Sequence, residues 1–368
     1  MGDYLHDDKA VSIRTIVERY TEYIPASYLR MLRKLSKDLE NAVRARHRRL
    51  LVISSSEPHV HGVLAARAMI SFDKKLKSLG ITGEIKVLYV FHSEFSDARI
   101  RKDVFKEIVK EKCKRIKLTI ITYEESEAYL GTTFKALVMD LVNDLRPNDL
   151  GRLIGIVEGG GLVILLVPNW YTWDDYLTLF KKMLTIPQKP NPRHIFISWV
   201  KRKLLEYPGI YIYDADERKT IKATEFEGTA YEHRELVIPE KRIFPKELYS
   251  LALTQDQIEV IKLIENLVER PKKGRRKAIV ITADRGRGKS CAVGIGIIGL
   301  ISELLKVKHR VRVLVTAPKA SNVQSLMQLA LKACENLGLK TKFIRRGGNI
   351  IEIQGDRFSI EYWEPITI

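Results

Sequence analysis

The sequence predicts an α/β protein in two parts: an amino-terminal doubly wound, mainly parallel sheet domain, then a truncated P-loop, helicase-like α/β domain. Three observations predict it. Short apolar runs alternate with helical patterns through the first half, as strands joined by crossover helices do. An apolar run at 278–282 leads directly into "ADRGRGKS" and then into an apolar helical stretch, the order of a phosphate-binding loop. The 63 Lys and Arg against 45 Asp and Glu leave a formal net charge of +18, which suits polyanionic partners.

Taken in order, the runs at 50–55, 85–91, 118–123 and 162–167 read as buried strands, with a helix between the first two from 61 to about 79. Crossovers between parallel strands should be right-handed. The stretch "TIPQKPNPRH" at 185–194 holds three prolines in a polar span, the composition of a hinge. A helix at 193–206 and a strand at 209–214 should follow, and the charged, irregular 220–243 reads as a connection. The domains expected are therefore 1–185, a connecting segment at 186–245 and 246–368. In the last of these the pattern gives a helix at 255–269, a strand at 278–282, the loop, a helix at 289–305 and a strand at 311–318. No closing helix or polar tail follows, so this domain is expected to be cut short.

Composition narrows the class. With 45 % hydrophobic and 29 % charged residues, the chain resembles ordinary soluble proteins. Its longest apolar runs, 159–168 and 291–302, are shorter than the roughly 18 residues that cross a bilayer, so no membrane partner is expected. The acidic, polar amino terminus is unlike a secretory signal, which implies a cytoplasmic location. Cys113, Cys291 and Cys334 lie far apart without metal-ligand spacing and read as reduced thiols. The basic excess clusters at 44–49, 110–117, 200–203, 272–277 and 306–312. Any one cluster reads as a solvated face; the five together point to RNA or DNA.

Loops of this kind work because successive backbone N–H groups and a helix N-terminus converge on anionic oxygens. Here Ala283 takes the first position, where a positive φ would be costly. Gly286 and Gly288 supply close backbone approach, Lys289 would reach the β- and γ-phosphates, and the Ser290 hydroxyl would take one position on Mg²⁺. The plain alternative is a glycine-rich strand-to-helix turn with no ligand. Gln257, at the start of the preceding helix, stands where helicases place a glutamine on adenine, and a surface glutamine is the competing reading. Val315–Leu326 contains a Thr-Ala-Pro turn before a helix that Ser321 or Asn322 would cap. Gly294, Gly296 and Gly299 read as packing glycines facing the sheet, Gly159–Gly161 as a turn before a buried strand, and His61 and His92 as ordinary surface or core histidines. A hydrolase also needs an acidic strand end for Mg²⁺ and water. After Ser290 the acids are Glu303, Glu335, Glu352, Asp356, Glu361 and Glu364, none at the end of an apolar strand run. ATP binding without efficient hydrolysis is the expectation.

These residues carry a resemblance. The segments "LGTTFKALVMDLVNDLRPNDLGRLIGIVEGGGLVILLVP", "NPRHIFISWVKRKLLEYPGIYIYD", "LTQDQ", "TADRGRGKS" and "TAP" together resemble, in order, the amino-terminal part of tRNA(Met) cytidine acetyltransferase and its larger eukaryotic RNA-acetylating relatives. The resemblance implies an α/β domain and a helicase-like ATPase module belonging to an enzyme that acetylates the exocyclic amine of cytidine in RNA using ATP. It places the ATP site on Gln257 and on Arg285, Gly286, Arg287, Gly288, Lys289, Ser290 and Cys291. The family's magnesium motif, acetyl-CoA-dependent domain and tRNA-binding tail would lie beyond Ile368, so acetyl transfer falls on no residue here. A non-catalytic RNA-binding or regulatory module and a helicase fragment stand as the alternative functions.

Overall fold

The structure, a computed structural model, describes residues 13–129, 132–185, 194–230, 235–269, 275–283 and 286–365. It divides into two units, Met1–Glu232 and His233–Ile368.

The first unit runs α1 (Ile13–Glu18), α2 (Ala26–Ala45), β1 (Arg49–Ser54), α3 (Pro58–Ser78), β2 (Ile85–Phe91), α4 (Ser96–Lys112), β3 (Ile116–Thr122), β4 (Phe134–Asp140), α5 (Pro147–Leu153), β5 (Val157–Val167), α6 (Leu179–Met183), α7 (Ile195–Glu206), β6 (Ile210–Asp214) and β7 (Lys219–Ala223). Its sheet has the order β3-β2-β4-β5-β1-β6-β7. Pairing is parallel throughout except for β7, which is antiparallel to β6. Successive strand residues point to opposite faces, and both faces are buried. Leu51, Ile53, Val87, Tyr89 and Ile164 pack with residues of α1–α4, while Val52, Leu88, Val90 and Leu165 pack with α5, α7, Trp170 and Trp173. This is the doubly wound sheet that the alternating runs predict.

Two stretches differ from the sequence reading. The segment expected to connect the domains contributes α7, β6 and β7 to this unit, and β6 is buried along its whole length beside β1. The triple glycine lies inside β5, which starts at Val157. Gly160 has φ +75 and donates its N–H to the His47 carbonyl at 2.7 Å, and a Cβ on Gly159 would overlap the backbone of Arg46. The glycines let the strand pass close beneath the C-terminus of α2.

α2 forms because Tyr28, Met31, Leu32, Leu35, Leu39 and Ala42 recur at helical spacing and bury one stripe. Asp38 sits in that buried stripe. It accepts from Arg49 Nε at 2.6 Å and Nη2 at 2.8 Å, from the Tyr211 hydroxyl at 3.0 Å and from the Phe226 amide at 3.2 Å. A second buried guanidinium, Arg101 on α4, donates to Asp140 at 2.6 Å, Asp97 at 2.8 Å and Asn143 at 2.5 Å. His61 and His92 are core residues.

The second unit contains α8 (Lys246–Tyr249), α9 (Gln255–Ile264), α10 (Lys289–Leu304), β8 (Val311–Thr316), α11 (Gln324–Asn336), β9 (Thr341–Arg346), β10 (Asn349–Gly355) and β11 (Phe358–Trp363). Its sheet order is β8-β11-β10-β9, with only β8 and β11 parallel. Apolar residues of α8–α11 pack with this sheet in a separate core. The strand expected at 278–282 does not form: the segment has no ladder partner and Val280 is 83 % exposed. A strand exists only by pairing, and β8 pairs with β11 instead. Nor do the α10 glycines face the sheet. A Cβ on Gly294 would strike the Leu326 carbonyl on α11, one on Gly296 the Ile264 side chain on α9, and one on Gly299 the Phe244 ring. α11 starts at Gln324 without a side-chain cap, and Asn322 instead accepts the Lys319 amide at 3.1 Å within the preceding turn.

Replacing Asp38 with Ala strands the Arg49 charge in the core, so urea unfolding should show a loss of about 3–5 kcal/mol. A loss below 1 kcal/mol would show that Arg49 finds water. His61 yields a pH test. Burial, aided by Arg101, lowers its pKa to about 3, and its Nε2 lies 2.9 Å from the Val167 carbonyl. An unfolded histidine titrates near 6.5, so between about pH 6.5 and 3 the unfolded chain takes up a proton that the folded one refuses. Stability should fall as pH drops through that window, by up to about 1.4 kcal/mol per pH unit. Urea midpoints of His61→Gln should have a shallower pH dependence, and equal slopes would refute the assignment.

Candidate nucleotide-binding site

The loop and the preceding helix meet through Gln257. Thr254 caps α9, its hydroxyl accepting the Gln257 amide at 3.3 Å. The Gln257 side chain is thereby turned inward, 7 % exposed, and its Oε1 accepts the Leu253 amide at 2.7 Å. Its Nε2 lies against Gly288, where any Cβ would overlap it. Gly286 and Gly288 have φ +82 and +75, a backbone region that costs other residues about 1–2 kcal/mol.

Gly288 is the N-cap of α10, and among the described residues no side-chain cap bond closes that end. Amides of the first helical turn have no acceptor within the helix, so those of Lys289, Ser290 and Cys291 need one from outside it. The aligned peptide dipoles of this 16-residue helix add partial positive charge at the same place. Lys289 Nζ donates to the Ala283 carbonyl, closing the loop over itself. Ser290 is exposed on the first turn. Arg285 lies outside the described residues.

A cleft of about 500 Å³ opens between α9, the segment 280–283 and the start of α10. Gln257, Arg287 and Lys289, with the acids Asp256 and Glu259, form its polar side, and Val260, Leu263 and Val280 its apolar one. That volume and mixture are those of small-molecule sites. The donors suit a polyphosphate and the apolar wall a planar base. Cys291 is half-buried and burial raises its thiol pKa, so it stays neutral and offers only its amide.

Among the described residues no group of three or more His, Cys, Asp or Glu could hold a metal ion. The protein's donor for Mg²⁺ would be the Ser290 hydroxyl, with phosphate oxygens and water completing the shell. Glu361, one of the few acids after the loop, is held by Arg312, whose Nε donates to it at 2.9 Å; that bond lowers its carboxyl to about 2.

Part of each basic cluster seen in the sequence is paired. Arg49 is buried on Asp38, Arg48 donates to the Val157 carbonyl, and Arg115 bonds Asp73 at 2.6 Å. Lys201 pairs with Asp174, Lys203 with Glu206, Lys277 with Glu269 and Lys306 with Glu303. Runs of cations in the sequence therefore overstate the free basic surface. The apolar wall of the cleft is what the motif alone left out; amphipathic spacing in α9 was the available signal for Val260 and Leu263.

Comparison with known proteins places these features. The chain matches the family model of tRNA(Met) cytidine acetyltransferase TmcA, N-terminal, over residues 24–215, and that of RNA cytidine acetyltransferase NAT10/TcmA, helicase domain, over residues 280–368. It is 35 % identical over 350 residues to the tRNA(Met) cytidine acetyltransferase TmcA of Thermofilum pendens, covering 94 % of this chain and 42 % of that protein. The corresponding proteins of Pyrococcus abyssi and Pyrococcus furiosus are 36 % and 38 % identical over 345 and 343 residues, each alignment covering 89 % of this chain and 41 % of the relative. The chain thus spans about two fifths of the length of these curated relatives.

The contact between Gly288 and Gln257 can be tested directly. Gly288→Ala should destabilise the second unit by at least about 1–2 kcal/mol, the backbone strain plus a steric excess. Gln257→Ala in the same chain should recover only the excess. A double-mutant cycle in thermal or urea unfolding that shows no coupling would separate the two residues.

Proposed function

Because the chain belongs to the tRNA(Met) cytidine acetyltransferase TmcA family, we propose that it is the ATP- and RNA-binding portion of an enzyme that forms N(4)-acetylcytidine in tRNA. Acetyl-CoA binding and acetyl transfer fall, on this reading, outside the residues matched here. The observation that carries the proposal is the uncapped start of α10, with two left-handed glycines, Lys289 and Gln257 gathered at one cleft.

Bound ATP supplies phosphoanhydride free energy, and this chain's residues grip and orient it. The amides of the first turn of α10 would hold phosphate oxygens. Lys289, now on the Ala283 carbonyl, would turn to the phosphates, and Ser290 would offer its hydroxyl to an accompanying Mg²⁺. Gln257, buried against Gly288, would fix the loop beside the nucleotide, while Val260, Leu263 and Val280 would flank its base. Glu361 is engaged by Arg312, and the acids that line the cleft, Asp256 and Glu259, lie on α9 and not at the end of a strand, where a hydrolase holds its magnesium acid, which favours binding over hydrolysis by this chain alone. Among the described residues no helix is long and apolar enough to cross a membrane. The cytoplasm, where tRNA is modified, is the proposed location.

Replacing Lys289 with Ala removes a charge-assisted bond worth about 1.5–3 kcal/mol, so Mg-ATP affinity measured by calorimetry should drop about 10- to 100-fold. The nucleotide-free melting curve should barely change. Unchanged affinity would overturn this reading of the loop.

A further inference from the structure

One strongly charged surface of the first unit is not marked by a run of cations in the sequence. Arg30, Arg33, Lys34 and Lys37 of α2 are exposed and recur at i, i+3, i+4 and i+7, so they share a face opposite the buried stripe. Arg44 extends the row, giving a span of about 21 Å along the helix. None of Arg30, Arg33, Lys34 and Lys37 forms an ion pair among the described residues. The acid of this face, Glu40, is taken by Lys75 at 3.0 Å.

A cleft flanks the row on each side. Between α2 and α3 lies one of about 450 Å³, walled by Arg33, Arg67, Lys74 and Lys75 with the Ser36 and Ser71 hydroxyls, and without any carboxylate or aromatic ring. On the other side, against the β6–β7 turn, is one of about 570 Å³, where Arg30 and Lys34 face Arg218 and Lys219, with Glu217 its single acid. Lys75 is offset by Glu40 and Arg67 donates to the Ser71 hydroxyl, but the remaining like charges repel one another, and a polyanion laid across them relieves that cost.

We propose that this face of α2, with its two flanking clefts, grips the sugar-phosphate backbone of RNA. The inference rests on the RNA-binding reading above and assigns it a surface. Phosphodiester is favoured over an acidic protein because the face offers point charges and hydroxyls. It lacks the exposed large apolar side chains that anchor protein interfaces. The absence of aromatic rings from the first cleft also excludes base stacking there, so recognition is of backbone and shape, and independent of base sequence.

The test uses the 368-residue chain and a tRNA transcript, with binding measured across a salt series. Arg33→Gln/Lys74→Gln should weaken binding about tenfold at low salt and flatten the log–log salt slope by about one unit per replaced cation. Arg30→Gln/Lys34→Gln should do the same from the other cleft, and both should retain the wild-type melting temperature and Mg-ATP affinity. Lys110→Gln/Lys114→Gln removes the same charge from the end of α4 and should change little. If the α4 variant loses as much as the α2 variants, or if polyglutamate displaces the RNA at equal charge concentration, the assigned surface is wrong while RNA binding stands. If the unaltered chain does not bind tRNA at low salt, the RNA reading itself fails.

Discussion

An α-helix begins with amide hydrogens that its own backbone cannot satisfy, and at α10 no side-chain cap among the described residues satisfies them either. The other features of the second unit are arranged around that demand. Gly288 gives the left-handed turn that exposes the amides, and its missing side chain makes room for Gln257. Thr254 holds Gln257 in place by capping the neighbouring helix. Packing does the rest: α10 lies so close to α9, α11 and Phe244 that three of its positions admit no side chain. A rigid helix pressed between neighbours presents its N-terminus in a constant direction, which is what pre-organised anion binding requires.

The first unit solves a different problem. Its strands are buried on both faces, and the polar groups that remain inside are tied to charges on the surrounding helices. Asp38 joins α2 to β1, β6 and Phe226, and Arg101 joins α4 to the end of β4. Such pairs contribute little to net stability, yet removing one partner is costly because the other stays buried. They therefore constrain how the helices sit more than how firmly they bind. The orientation of α2 matters because its outward face carries the unpaired cations. Net charge alone does not say which cations are free, whereas the pattern of pairing does. Several Lys and Arg of the local runs found Asp and Glu neighbours along the chain or across it, while Arg30, Arg33, Lys34 and Lys37, interrupted in sequence by core positions, form no ion pair among the described residues.

Much of this molecule was legible before folding was considered. Apolar runs located β1, β2 and β6 to within a residue or so, because a strand buried on both faces must be apolar at nearly every position. The loop's glycines were legible because the left-handed backbone at Gly286 and Gly288 requires them, a constraint that acts within a few residues. What the sequence by itself determined is thus local: which segments are strands and helices, and where a left-handed turn leads into a helix. Tertiary structure alone decided that β6 and β7 join the first sheet, that 278–282 has no ladder partner among the described residues, that Gln257 fills the space over Gly288, and that four exposed cations of α2 form no ion pair among them. Each of these depends on which distant groups become neighbours, and pairing between strands or charges is a property of two segments that neither contains alone.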